Sequence, residues 1–193
     1  MTAPVRADAF ASMSRILEAA ARVFASGGGT LARIADEADV GIATLYRHFP
    51  NRHMLARAVY DRMLATELEP MLQKLGSGDV PRPVLLDFAE RLTDVASRDL
   101  GLVAELGSLA GPTTDFLRRH GENLAAAVRR AQDAGNLRPD LSVDDIPVIL
   151  TMAATGLGVH GATGQSRRRY LSLLLDALNP ERALPLPTAG ARA

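Results

Sequence analysis

TLARIADEADVGIATLYRHFPNRHML, residues Thr30 to Leu55, predicts two short helices around a tight turn. Thr30 stands where a hydroxyl would cap the first, and Leu31, Ile34, Ala35 and Ala38 share one face of it. Asp39-Val40-Gly41 turns the chain, with Gly41 free of the steric limits of a Cβ. The second helix runs from Ile42 to Phe49. Pro50 ends it, because the residue before a proline is pushed out of helical geometry. Hydroxyl, phenol and cationic groups crowd this second helix at Thr44, Tyr46, Arg47 and His48. That is the form in which a helix is presented to the major groove of DNA.

Outward from this segment every periodic stretch reads as helix. Upstream, Met13, Ile16, Leu17, Ala20, Val23 and Phe24 form an i, i+3, i+4, i+7 stripe, stopped at Gly27-Gly28-Gly29. Downstream, Asn51 caps a long helix through Leu55, Val59, Met63, Leu64 and Leu68; Pro70 either kinks or ends it, and Gly76-Ser77-Gly78 marks a break. Further helices are predicted over Pro83–Ala96, Leu100–Leu109, Thr114–Ala134, from Ser142, and over Gln165–Leu178. The tail from Glu181 reads as loose. No segment asks to be a strand, so the predicted fold class is all-α, with three units: residues 1–60, 61–180 and a flexible tail over 181–193.

The composition of the 193 residues agrees. Hydrophobic residues make up 47% and aromatics only 4%, with no tryptophan. Ala and Leu therefore build the core, and both favour helix over strand. The absence of cysteine removes disulfides, thiolate metal sites and cysteine nucleophiles. No signal peptide is visible, and the apolar stretch Ile146–Val159 falls short of the roughly 18 residues of a bilayer span. The expectation is a cytoplasmic protein with no membrane partner.

Net charge is zero, but its distribution is not even. Residues 1–60 hold seven Arg against five acids, and the remainder fifteen Lys or Arg against seventeen. Val40 to Tyr60 has no Asp or Glu while carrying Arg47, Arg52, Arg57, His48 and His53. A local positive field of this kind suits a phosphate backbone.

The string TLYRHF at Thr44–Phe49, followed by Pro50 and Asn51 and preceded by Thr30, Ile34-Ala35 and Val40-Gly41, resembles the DNA-binding domain of the tetracycline-repressor (TetR) family. The match spans about Arg15 to Tyr60. The resemblance implies a three-helix, helix-turn-helix DNA-binding domain joined to a C-terminal helical domain for ligand binding and dimerisation. It also implies a DNA-facing set of Thr30, Arg33, Ala43, Thr44, Tyr46, Arg47, His48 and Arg52, with Tyr46 and His48 on phosphate. Residue by residue other readings stay open: Tyr46 as a packed ring, His48 as a partly buried histidine, Arg33 as a plain solvated arginine. Leu31 and Ala32 replace polar base readers, and His53 replaces an acid that would strengthen the helix start.

By the same resemblance the partners are a palindromic double-stranded operator, a second copy of the chain and a small-molecule effector. The candidate dimer surface is Ala153, Gly156, Leu171, Leu174, Leu175 and Leu178, unless this leucine stripe closes the monomer core instead. The candidate ligand lining is Phe88, Leu92, Leu106, Phe116, Met152, Thr155 and His160. Arg167-Arg168-Arg169 reads as a solvated face or rim ion pairs.

The expected function is a sequence-specific transcriptional repressor released by a ligand. An activator, or a regulator under a protein partner, is the alternative. An all-helical enzyme is the remote one: Glu90, Glu105, His120 and His160 could meet in space, but no H-E-x-x-H, G-x-S-x-G, Walker loop or dinucleotide fingerprint is present. No enzyme activity, cofactor or metal site is implied.

Overall fold

The computed structural model describes residues 3–27, 29–159 and 164–187, and among these there are helices and turns but no strand. The elements are α1 (Ala3–Ala25), α2 (Leu31–Glu37), α3 (Ile42–His48), α4 (Arg52–Ser77), α5 (Arg82–Arg98), α6 (Leu100–Leu106), α7 (Ala110–Arg119), α8 (Gly121–Asp133), α9 (Asp145–Val159), α10 (Gly164–Ala177) and a closing 3-10 turn at Pro180–Arg182.

α4 is the spine. Its 26 residues span about 39 Å at 1.5 Å per residue. Leu55, Val59, Leu64, Leu68, Leu72 and Leu75 bury one face along its whole length. α1, α5, α6, α7 and α8 all pack against it, α6 at its first turn. Its start is fixed by Asn51, whose side-chain oxygen accepts from the Met54 amide at 2.8 Å. Pro70 neither ends nor interrupts it: the proline sits on the exposed side, where water can serve the carbonyl that its missing N–H leaves unpaired.

α1 buries Ile16, Ala20, Val23 and Phe24 completely, as its stripe predicts, and extends back to Ala3. α9 is sandwiched between α5 and α7, and α10 lies on α5. Two arginines of the Arg167–Arg169 run hold α10 there. The buried Arg167 donates to Asp94 and to the Ser97 hydroxyl, both at 2.7 Å, and Arg168 binds Asp87 at 3.0 Å and also Glu90.

One predicted helix is two. The stretch Thr114–Ala134 breaks at His120 (φ −100°, ψ 24°) into α7 and α8, and α7 starts earlier than predicted, with Gly111-Pro112 in its first turn. A proline is tolerated there because first-turn amides have no intrahelical acceptor. The His120 ring tightens the joint, with Nδ1 3.0 Å from the Phe116 carbonyl and Nε2 3.3 Å from Glu69 on α4.

After α10 the described residues, as far as 187, are tied to the body; the remainder of the expected tail over 181–193 lies outside the described residues. The Arg138 amide donates to the Leu178 carbonyl at 2.9 Å, while its guanidinium grips both Asp140 oxygens and the Leu184 carbonyl. The Leu186 amide donates to Asp140 at 2.9 Å. Arg138 first, then the Leu186 amide, hold the Asp140 carboxyl well below the usual carboxylate range.

Candidate functional site

The helix-turn-helix is assembled from local rules. The Thr30 hydroxyl accepts from the Arg33 amide at 3.2 Å and starts α2. α2 sinks Ile34 and Ala35 into the core. The turn is made by Asp39, which takes the left-handed conformation (φ 51°), whereas Gly41 is extended and serves as the N-cap of α3. The left-handed backbone thus falls on an exposed aspartate and not on the glycine, which the short polar side chain of Asp39 tolerates.

α3 is about 10 Å long and sharply two-faced. Leu45 is fully buried and Phe49 nearly so, pinning the helix from beneath. Ile42, Ala43, Tyr46 and Arg47 face out, Tyr46 with half its surface exposed, and Thr44 and His48 sit at the flanks. Tyr46 is thus a presented ring and not a packed one. No acid among the described residues pairs with Arg47. Arg33 is exposed but donates to Glu37 at 3.0 Å.

Arg52 departs from its expected place. Its guanidinium binds Glu105 of α6 at 2.6 Å, donates to the Gly29 carbonyl, and lies 4.8 Å over the Phe24 ring. The charge expected on the DNA face therefore staples α4 to the α1–α2 loop and to α6. His53 joins it, with Nδ1 3.3 Å from the Glu105 carbonyl. On the other side of this joint, a Cβ on Gly101 would fall 2.1 Å from the Phe24 carbonyl oxygen, so α6 seats on the end of α1 only because that position is glycine. Neither contact was predicted. The partners of Arg52 and Gly101 lie 53 and 77 residues away, and no local pattern marks them.

Two apolar cavities of the larger helical body bear on the predicted ligand residues. The first, about 90 Å³, lies between α4, α5, α8, α9 and α10, and Phe88 is the one predicted ligand residue on its wall. The second, about 290 Å³, lies between α5, α6 and α9 and includes Thr155. Leu92 and Phe116 are closed core, Leu106 is half-buried beside that core, and Met152 points outward, 62% exposed. The predicted lining is not one site, and His160 lies outside the described residues. Between α4 and α7 the core is closed by Tyr60, whose hydroxyl is 2.8 Å from that of Thr113 and whose pKa burial pushes up to about 12.

The predicted dimer residues divide between two surfaces. Ala153 and Leu171 are buried and, with the half-buried Leu175 and Leu178, turn toward the first cavity, whereas Leu174 is exposed. Gly156 is exposed. The apolar face that α9 and α10 leave open consists of Val148, Met152, Tyr170, Leu173 and Leu174. The acid and base groups considered for catalysis do not converge: Glu90 pairs with Arg168, Glu105 with Arg52, and His120 with Glu69. Among the described residues no cluster could hold a metal ion, and no helix is long and apolar enough to cross a membrane.

Comparison with known proteins matches this geometry. Residues 16–59 fit the profile of bacterial regulatory proteins of the tetR family, and residues 80–180 that of the C-terminal domain of SbtR-like transcriptional regulators. A TetR transcriptional regulator of Streptomyces coelicolor shares 32% identity over 88% of this chain and 99% of its own, with a TM-score of 0.60. A TetR transcription regulatory protein of Mycobacterium vanbaalenii shares 28% over 91% and 99%, with a TM-score of 0.59. The transcriptional regulator FadR of Bacillus subtilis, solved with stearoyl-CoA, has the same fold at 17% identity, covering 86% and 97%, with a TM-score of 0.62. No curated protein matches significantly.

Proposed function

The chain belongs to the TetR family of bacterial transcriptional regulators, and from that premise we propose that it is a repressor whose homodimer holds a palindromic operator until a small molecule releases it. The observation that carries this reading is the outer face of α3, where Tyr46 and Arg47 stand exposed on a segment without acids. Arg47 is the group able to make a bidentate contact to guanine or phosphate. The Thr30, Thr44 and Tyr46 hydroxyls and His48 suit phosphate oxygens, and the Ala43 methyl suits a thymine methyl. Arg33 reaches DNA only by leaving Glu37. Arg52 acts one step back, fixing the angle of α4.

A single head of this size binds weakly. The open apolar face of α9 and α10 supports pairing with a second copy, which would set two α3 helices about 34–36 Å apart. Release needs a ligand that prefers a conformation with the heads displaced, and coupling of about 1–3 kcal/mol suffices. The α6 joint supports that route, since α6 borders the second cavity and grips the first turn of α4 through Glu105. The stearoyl-CoA held by the Bacillus regulator supports a small molecule as the effector.

Fluorescence anisotropy on a palindromic fragment from the gene's own upstream region tests this. Affinity should fall steeply with salt, with a log–log slope of about −0.9 per neutralised phosphate. Absent or salt-independent binding would end the proposal.

A further inference from the structure

We infer that Ile42 is a base reader, and that each half of the operator presents a thymine whose C5-methyl group it covers. This rests on the regulator reading above and names the feature of the DNA that the head selects. In a helix-turn-helix the N-terminal residues of the second helix are those that meet base edges. Here they are Ile42 and Ala43, both exposed, Ile42 with 42% of its surface open. The core is closed without Ile42: Leu45 and Phe49 lie beneath α3, and Ile34 and Ala35 of α2 are buried beside them. Nor does a neighbour shield it. The residue before it is the exposed Gly41, where an added Cβ would meet, beyond its own chain neighbours, only the Thr44 hydroxyl at 3.9 Å.

Two side chains of carbon at the reading position restrict what can be recognised. In the major groove guanine shows two acceptors, cytosine a donor, adenine one of each, and thymine an acceptor beside a methyl group. An isoleucine laid over the first three strips water from polar edges and returns no hydrogen bond, which weakens binding. Over thymine it buries a methyl group, which is worth about fourfold in affinity at ~0.8 kcal/mol per carbon. The same side chain therefore selects twice, by gain at thymine and by loss elsewhere. Hydrogen-bonding readers are scarce around it: Arg33 is held by Glu37 at 3.0 Å, Ala32 is exposed carbon on α2, and Thr44 is half-buried at the flank.

The surroundings favour DNA over a protein as the occupant of this face. Val40 to Tyr60 contains no acid and carries Arg47 and His48, which suits phosphates on either side of a groove. A helix that docks into an apolar groove shows several apolar anchors at i, i+3, i+4 and i+7. At those spacings from Ile42, Leu45 and Phe49 are spent on the core, and only the Tyr46 ring is exposed.

The test uses the full chain and the palindromic fragment of the anisotropy experiment, with thymines exchanged for deoxyuridine one symmetric pair at a time. The exchange removes the C5-methyl and keeps every hydrogen-bonding group. At one pair of positions the wild-type protein should lose about tenfold in affinity, two methyls being removed. Ile42→Ala should bind the unmodified fragment at least tenfold more weakly, melt as the wild type does, and be indifferent to deoxyuridine at that pair. Arg47→Ala should also bind more weakly yet keep the full deoxyuridine effect there. A wild-type protein insensitive to every exchange overturns the assignment. So does an exchange effect that survives undiminished in Ile42→Ala, which would mean that the methyl acts through duplex shape or on another residue. Failure to bind the unmodified fragment strikes the regulator reading itself, and the assignment falls with it.

Discussion

Arg47 and Arg52 stand five residues apart with the same charge, on either side of a proline, yet they serve different regions of the molecule. Arg47 belongs to the outer face of the head, with no ion-pair partner among the described residues. Arg52 belongs to the joint, where Glu105, the Gly29 carbonyl and the Phe24 ring absorb it. The difference teaches that the head has two layers: an outer face whose Arg47 has no ion-pair partner among the described residues, and a base whose Arg52 and His53 are spent on the body. Substitutions on the face should change binding and not stability; substitutions in the base should do the reverse.

The base gives the largest effect. Phe24→Ala removes a fully buried ring that carries Arg52 above it and should cost about 3–5 kcal/mol, read as a fall in the urea midpoint. Gly101→Ala should cost about 1–3 kcal/mol, because its new methyl meets the Phe24 carbonyl and backbone must move. If Gly101→Ala leaves the midpoint unchanged, α6 is not seated on α1 as described.

The two arginines then separate the layers directly. Arg52→Ala should lower stability by about 1–2 kcal/mol, the loss of a charged hydrogen-bonded partner, with the salt slope of operator binding unaltered. Arg47→Ala should leave stability within about 0.5 kcal/mol and reduce the salt slope by about 1. A slope that changes with Arg52 and not with Arg47 reverses the assignment of the two layers.

What was legible in the sequence follows the same division. The caps Thr30 and Asn51, the stop at Pro50 and the inward Leu45 and Phe49 are local, and each stands where its chemistry placed it. The break at His120 was not legible, because the buried positions Thr113, Leu117, Leu124, Val128 and Ala131 keep helical phase across it. Periodicity reports which face is apolar and is blind to a change of axis. α10 shows a related limit. Leu171, Leu174, Leu175 and Leu178 are an amphipathic stripe, but Tyr170 and Leu173 make a second apolar surface beside it. Which surface turns inward depends on α5 and α9, far away in the chain. The salt bridge from Arg52 to Glu105 had no sequence signal at all.

The smallest expected effect lies at the opposite end from the head, where Arg138 and Asp140 together tie down the chain after α10. Asp140 accepts from Arg138 and from the Leu186 amide, and both favour its charged form. Its folded pKa is therefore depressed, so its contribution is complete above the ordinary carboxylate range and is lost only as pH falls below it. The Leu186 amide should stay protected from hydrogen exchange between pH 7 and about pH 4, and lose that protection in stronger acid. Asp140→Asn should abolish the protection at neutral pH, with Tm shifted by no more than a degree or two because the group is at the surface. DNA affinity should not change, since the strap is remote in sequence from every group assigned to the head. A matching loss of operator binding in Asp140→Asn would mean that base and face are coupled through the whole body, and the two-layer description of the head would have to be replaced by a single cooperative unit.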